Sequence, residues 1–202
     1  MGVKPPRVGV VHRTAGRTEL TAFVRADGRA KARWPTQVEL AWEESHLHVH
    51  FHCCDDDAWG TFTERDDPLW QQEVVELFLA PGEAVPTRYF EFELSPAGVL
   101  FDARVFNPHG DRIGMEVDTQ WNCSGLEWGA EPTGERADWR AHLAIPWRGL
   151  DLAAPPSTLR ANFYRIERPH GGEPEFSCWS PTFTSPADFH RPSRFGVLDL
   201  IR

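Results

Sequence analysis

Three carboxylates and one indole stand out by type and spacing. Glu76 lies in Val74-Val75-Glu76-Leu77-Phe78-Leu79, Glu91 and Glu93 lie in Tyr89-Phe90-Glu91-Phe92-Glu93-Leu94, and Trp70 stands just upstream in Asp66-Asp67-Pro68-Leu69-Trp70. A carboxylate accepts hydroxyl hydrogen bonds, and charge-assisted bonds are worth roughly 1.5–3 kcal/mol net. An indole offers a flat, weakly polar platform. Such a set looks like a site for a ligand with a weakly apolar face. Three carboxylates side by side repel, so something must offset them: an Arg, a bound cation or a proton held by one Glu. Arg165 and Arg104 are the cations suggested by strand register, and Ca2+ is the ion that hard oxygen ligands suit. The bland alternative is a salt-bridged, Arg-covered sheet face with no ligand.

The elements that must position these groups read as strands, because strand side chains alternate between faces. Val75, Leu77 and Leu79 share one face, and Val74, Glu76 and Phe78 the other. In the second segment Phe90, Phe92 and Leu94 oppose Tyr89, Glu91 and Glu93. Pairing the apolar faces brings the three Glu out together, with Trp70 at the entrance. Further strands are expected at Val8–His12, Thr18–Val24, Gln37–Trp42, His46–His52, Val99–Phe106, Glu127–Glu131, Asp138–Ile145, Leu159–Glu167 and Phe195–Ile201. Glu43-Glu44-Ser45 reads as a hairpin loop, Asn107–Ile113 as a polar loop and Pro146–Leu150 as a short helical turn. No segment keeps a 3.6-residue apolar period, so the fold class is all-β: an antiparallel, jelly-roll-like β-sandwich with only short helical turns. One sheet is expected to carry an open outer face.

The 202 residues carry no linker, repeat or low-complexity run, which gives one domain over residues 1–202. The net charge of −9 argues against nucleic acid and anionic membranes as partners. No apolar run is long enough for a transmembrane helix, and Met1–Pro6 lacks the apolar core of a signal peptide, so the expected compartment is cytoplasmic. Cys53, Cys54, Cys123 and Cys178 form no C-x-x-C pair. They read as free, mostly buried thiols, with a Cys123–Cys178 bridge as the alternative. Nine Trp against two Tyr is an unusual ratio, and most of the nine are expected in the core.

At this point the residues resemble a known family. Asp67-Pro-Leu-Trp70 through Glu76-Leu-Phe-Leu, Tyr89-Phe-Glu-Phe-Glu93, Trp179-Ser-Pro-Thr182 and Phe189-His-Arg-Pro-Ser-Arg-Phe-Gly-Val-Leu198 are similar to the family 9 carbohydrate-binding modules. The likeness is to their stand-alone family 9-like branch, kin to the DOMON domains, and runs from about Val38 to Ile201. It implies a non-catalytic β-sandwich in which two Trp clamp the end of an oligosaccharide or polysaccharide chain. By motif, Trp70 matches the first clamp Trp and Glu76 the hydroxyl-binding Glu. Phe189 stands where the second Trp would be, and Glu91 and Glu93 replace Arg and Asn. The family is often extracellular.

Other features are weighed beside that set. His46, His48, His50 and His52 share one strand face, where adjacent pairs are about 7 Å apart and could chelate a transition metal, or simply form a solvated face. Asp55-Asp56-Asp57 with Asp66-Asp67 could hold Ca2+ or be loop acids, and the metal ligands are left unassigned. A glycoside hydrolase would need two carboxyls flanking a bond, about 5–5.5 or 6.5–9.5 Å apart, whereas Glu91 and Glu93 point the same way. Haem would need an axial His or Met in an apolar pocket, and the only Met are Met1 and Met115. No organic cofactor and no catalytic residue is expected.

Overall fold

A computed structural model describes residues 3–134 and 137–202; Met1 and Gly2, which open the N-terminal stretch discussed above, lie outside it. Fourteen strands follow one another: β1 (Arg7–Val11), β2 (Thr18–Leu20), β3 (Val24–Arg25), β4 (Thr36–Trp42), β5 (His46–Cys53), β6 (Val74–Pro81), β7 (Arg88–Leu94), β8 (Leu100–Phe106), β9 (Glu116–Asp118), β10 (Glu127–Pro132), β11 (Trp139–Pro146), β12 (Thr158–Glu167), β13 (Glu175–Cys178) and β14 (Gly196–Ile201). The described helical pieces are short 3-10 turns, among them Leu69–Gln71 and Trp147–Leu150. The segment read as one strand over Thr18–Val24 is divided between β2 and β3, and β9 and β13 were not anticipated. Both are too short for alternation to signal them.

One sheet runs β1-β14-β12-β6-β7-β8-β9, with β13 beside β12 and β3 beside β13; the other runs β10-β11-β5-β4-β2. Neighbouring strands are antiparallel except β1 and β14, which are parallel. Alternation along β6 and β7 puts Val75, Leu77, Leu79, Phe92 and Leu94 into the core between the sheets, against Leu47, Val49 and Phe51 of β5. Burying each such side chain contributes about 1.5–3 kcal/mol.

The outer face of the larger sheet is not open, which corrects the expectation above. A second apolar cluster covers it, with Phe78, Tyr89, Phe101, Tyr164, Phe189 and Phe195 all buried. The cover comes from the chain between β13 and β14. Pro192 starts a 3-10 turn that delivers Phe195 into this layer, and Gly196 follows because a methyl group there would overlap the Trp179 ring. The Phe-Gly ending and the Trp-Ser-Pro segment are thus two halves of one packing joint.

Candidate functional site

Trp70 sits on the 3-10 turn that enters β6. Leu69 anchors this turn at 0% exposure, while Trp70 beside it is 43% exposed. The indole meets Phe101 edge-on, with centroids 5.4 Å apart, and Arg168 Nη2 donates to the Trp70 carbonyl at 3.2 Å.

Glu76, Glu91 and Glu93 lie below it. Glu76 pairs directly with Glu93 across β6 and β7, and Glu91 pairs with Phe78 one step along the same face. Their carboxyl oxygens lie within 4.8 Å of one another, and all three residues are buried. Tyr164 flanks Glu76 and Phe101 flanks Glu93 in the same row of the sheet. The carboxyls are therefore a polar island in an apolar layer. They form the floor of a cleft of about 440 Å³ whose lining includes Trp70, Phe101, Phe176, Phe189 and Arg112. All five sequence-selected residues border this one cleft.

Phe189 differs from Trp70 in character. It is buried, and its ring stacks on Tyr164 with centroids 4.2 Å apart, while its carbonyl accepts the Tyr164 hydroxyl at 3.0 Å. One of its faces is thus already taken by the protein.

Burial holds the Glu76 and Glu93 carboxyls well above the usual range, and repulsion from the neighbouring carboxylates adds to this. Burial pushes Glu91 up to about 7, against a hydrogen bond from Glu93 and the charge of Arg112. Burial therefore favours retained protons on the trio, the third of the remedies weighed from sequence. Glu93 Oε2 accepts no hydrogen bond.

Arg165 and Arg104 do not serve this site. Arg165 lies opposite Val75, not Glu76, and Arg104 opposite Phe90, so both side chains leave the sheet on the other face. Strand parity alone could have excluded them. The cations that border the cleft are Arg168, whose Nη2 bonds the Trp70 carbonyl, and Arg112, from the loop before β9. Arg112 Nε donates to Asp188 Oδ1 at 2.7 Å, a contact across 76 residues. Nothing in the sequence around Arg112 signalled it. His190 also lines the cleft; its Nδ1 hydrogen-bonds the Tyr89 hydroxyl at 2.8 Å, and burial drives its pKa down to about 3, so it stays neutral.

A second carboxylate trio was not foreseen. Asp55, Glu73 and Glu167 are buried, with oxygens likewise within 4.8 Å of one another. Here Arg165 fills the role of counter-charge: its Nη2 bonds Asp55 at 2.7 Å and also bonds Glu167, and its Nη1 donates to the Cys54 carbonyl at 2.8 Å. Asp55 is thus a buried ion-pair partner, whereas Asp57 pairs with His170 near the surface.

The four His of β5 line the outer face of the smaller sheet while Leu47, Val49 and Phe51 turn inward. His48 contacts Glu43 and His52 contacts Glu39, and His50 stacks on His142 of β11. All four cysteines are free, and Cys54 alone is exposed.

Comparison with known proteins gives the fold and the family. A curated extracellular protein from Arthroderma benhamiae is 27% identical over 168 residues, covering 79% of this chain and 76% of the relative. A crystal structure of a candidate carbohydrate-binding protein from Bacteroides uniformis aligns with a TM-score of 0.78 at 18% identity, over 97% of this chain and 99% of that one. A family 9 module from Caldicellulosiruptor kristjanssonii in complex with cellotriose aligns with a TM-score of 0.63 at 12% identity, over 96% and 93% of the two chains. The same organism's module with glucose gives 0.62 at 13% identity, over 96% and 95%. These structures share the fold. The family model for carbohydrate-binding family 9 matches residues 31–200, and the chain belongs to that family.

Proposed function

We propose that the protein is a non-catalytic carbohydrate-binding module that takes the end of a saccharide chain into the cleft beside Trp70. The observation that carries this is the convergence of a 43%-exposed indole and three carboxyls on one cleft. A sugar ring stacks its axial C–H face on Trp70, and its hydroxyls reach the floor. The replacement of Arg and Asn by Glu91 and Glu93 does not strip the floor of donors, because a protonated carboxyl both donates and accepts. Membership of the family and the sugar complexes of its relatives support the same reading.

Binding without turnover follows from the arrangement of the acids. Hydrolysis needs two carboxyls on either side of a glycosidic bond. These three share one floor, and Glu93 hydrogen-bonds Glu91, which leaves no gap for a bond between them. A Ca2+ ion on this floor would draw part of its six to eight oxygens from the sugar or water, since Thr119 is the remaining side-chain oxygen donor lining the cleft.

The test is titration of tryptophan fluorescence with cello- and xylo-oligosaccharides, with Ca2+ and with chelator. The intact protein is expected to bind, and Trp70→Ala to weaken binding by about thirtyfold or more, as loss of a central aromatic contact does. The thermal midpoint should move little, because Trp70 is partly exposed. Silence of the intact protein towards these sugars and towards a glycan array in both conditions would refute the proposal.

A further inference from the structure

We infer that the cleft is selective for a sugar carrying a free ammonium group, seated among Glu76, Glu91 and Glu93. The inference rests on the saccharide reading above and names the ligand class within it. Its first support is spacing. An ammonium nitrogen that donates to three oxygens at about 2.8 Å in tetrahedral directions holds them about 4.6 Å apart. The three carboxyls offer oxygens within 4.8 Å of one another.

The second support is a buried oxygen on the cleft floor that has no hydrogen-bond partner. Glu93 is 1% exposed, borders the cleft, and its Oε2 accepts nothing. Neighbouring hydroxyls are committed elsewhere, that of Tyr164 to the Phe189 carbonyl and that of Tyr89 to His190. A sugar hydroxyl brings one donor, whereas an ammonium brings three and a charge.

The charges that face this position are few. Arg112 is bound to Asp188, Arg168 donates to the Trp70 carbonyl, and His190 is neutral. A bare divalent ion fits less well, because three carboxyls and Thr119 fall short of its coordination and the aromatic walls would have no part to play. An arriving ammonium, with one positive charge, takes the place of one proton held by the trio. That proton passes to the buffer, so binding is coupled to proton release.

The experiment compares ligands that differ at one position. By calorimetry, the β-1,4-linked glucosamine dimer is set against its di-N-acetyl form and cellobiose, and 6-amino-6-deoxyglucose against glucose. Buffers of different ionisation enthalpy report proton release. At least one amine is expected to bind about tenfold tighter than its hydroxyl and acetamide counterparts, as charge-assisted bonds exceed neutral ones. Protons should be released for that amine alone.

Glu91→Gln and Glu93→Gln should each bring the amine-to-hydroxyl ratio towards one, with circular dichroism confirming the fold. If a variant does not fold, the acetylated comparison on the intact protein decides. Neutral sugars binding as well as both amines would overturn the inference and leave the saccharide reading standing. A preference that persists unchanged in both variants, or tight binding of Ca2+ alone that amines do not displace, would also overturn it. Failure of every sugar would end both.

Discussion

Glu167 on the inner face of the larger sheet meets Glu73, just before β6, and Asp55, just after β5 of the smaller sheet, in company with Arg165; Glu76, Glu91 and Glu93 lie on the outer face of the larger sheet with no guanidinium among them. Both trios are buried and both hold their oxygens within 4.8 Å of one another. The inner trio holds a cation: Arg165, at 1% exposure, bonds Asp55 and Glu167, while Glu73 accepts from the Trp59 N–H. The outer trio borders a cleft that has Arg112 and Arg168 in its lining; burial raises carboxyls of both trios, so the difference lies in the buried cation and in access to the cleft. The contrast teaches that an acidic cluster stays accessible to a ligand when the fold places no cation within it and leaves a cleft above it. The same residue types with a buried guanidinium become part of the frame.

The sharpest way to break this comparison is to remove the cation from each trio. Arg165→Met should cost about 3–5 kcal/mol in urea denaturation, because it leaves buried carboxylates without their partner. Arg112→Met should cost less than about 1 kcal/mol, since that side chain is half exposed and its ion pair with Asp188 is screened. Equal losses would erase the distinction drawn here.

The next effect is one of pH. Burial first, and then repulsion from Glu167 and Asp55, raises Glu73 to about 9, and burial raises Glu167 to about 7 against the pull of Arg165. A carboxyl raised in the folded state binds more protons there than in the unfolded chain, so its contribution is lost as pH rises towards the folded value. His50 and His190 are depressed, chiefly by burial, to about 4 and about 3, and they act in the opposite sense only below their ordinary 6.5. From pH 6.5 to about 9 the carboxyls therefore govern, and stability should fall by on the order of 2 kcal/mol. Glu73→Gln should reduce that slope, leaving the share of Glu167 and the outer trio, without altering sugar affinity. A flat profile in the intact protein would show that neither trio retains its protons.

The smallest expected effect sharpens the outer site. Arg112 lowers Glu91, so Arg112→Met should move the Glu91 midpoint upward from about 7. The expected rise is about half a pH unit, read from carboxyl carbon resonances, because a rim charge is screened by solvent. No movement would mean that Arg112 does not act on the floor.

Much of the site was legible because strand alternation is a local rule. The parity of Val74–Leu79 and Tyr89–Leu94 was enough to group Glu76, Glu91 and Glu93, and the position of Trp70 before β6 put an indole beside them. The same rule, applied to β12, would have turned Arg165 away from Glu76. The cover over the outer face was not legible. The chain between β13 and β14 has no period, and its path is set by contacts such as Trp179 on Gly196 and His190 against Tyr89. The family likeness correctly marked the Phe-Gly ending, although its physical reason appears only when Trp179 lies on the glycine.

By itself, then, the sequence determined which side chains share a face, that the chain forms a two-sheet β-sandwich, and that an indole stands near three carboxyls. Period-two patterning needs no knowledge of distant residues. Tertiary structure alone decided that the carboxyls lie at the bottom of a cleft, that Arg112 and Arg168 border it, and that Phe189 rests on Tyr164. Burial, and with it protonation, depends on what segments far along the chain lay over a face, and no local pattern encodes that.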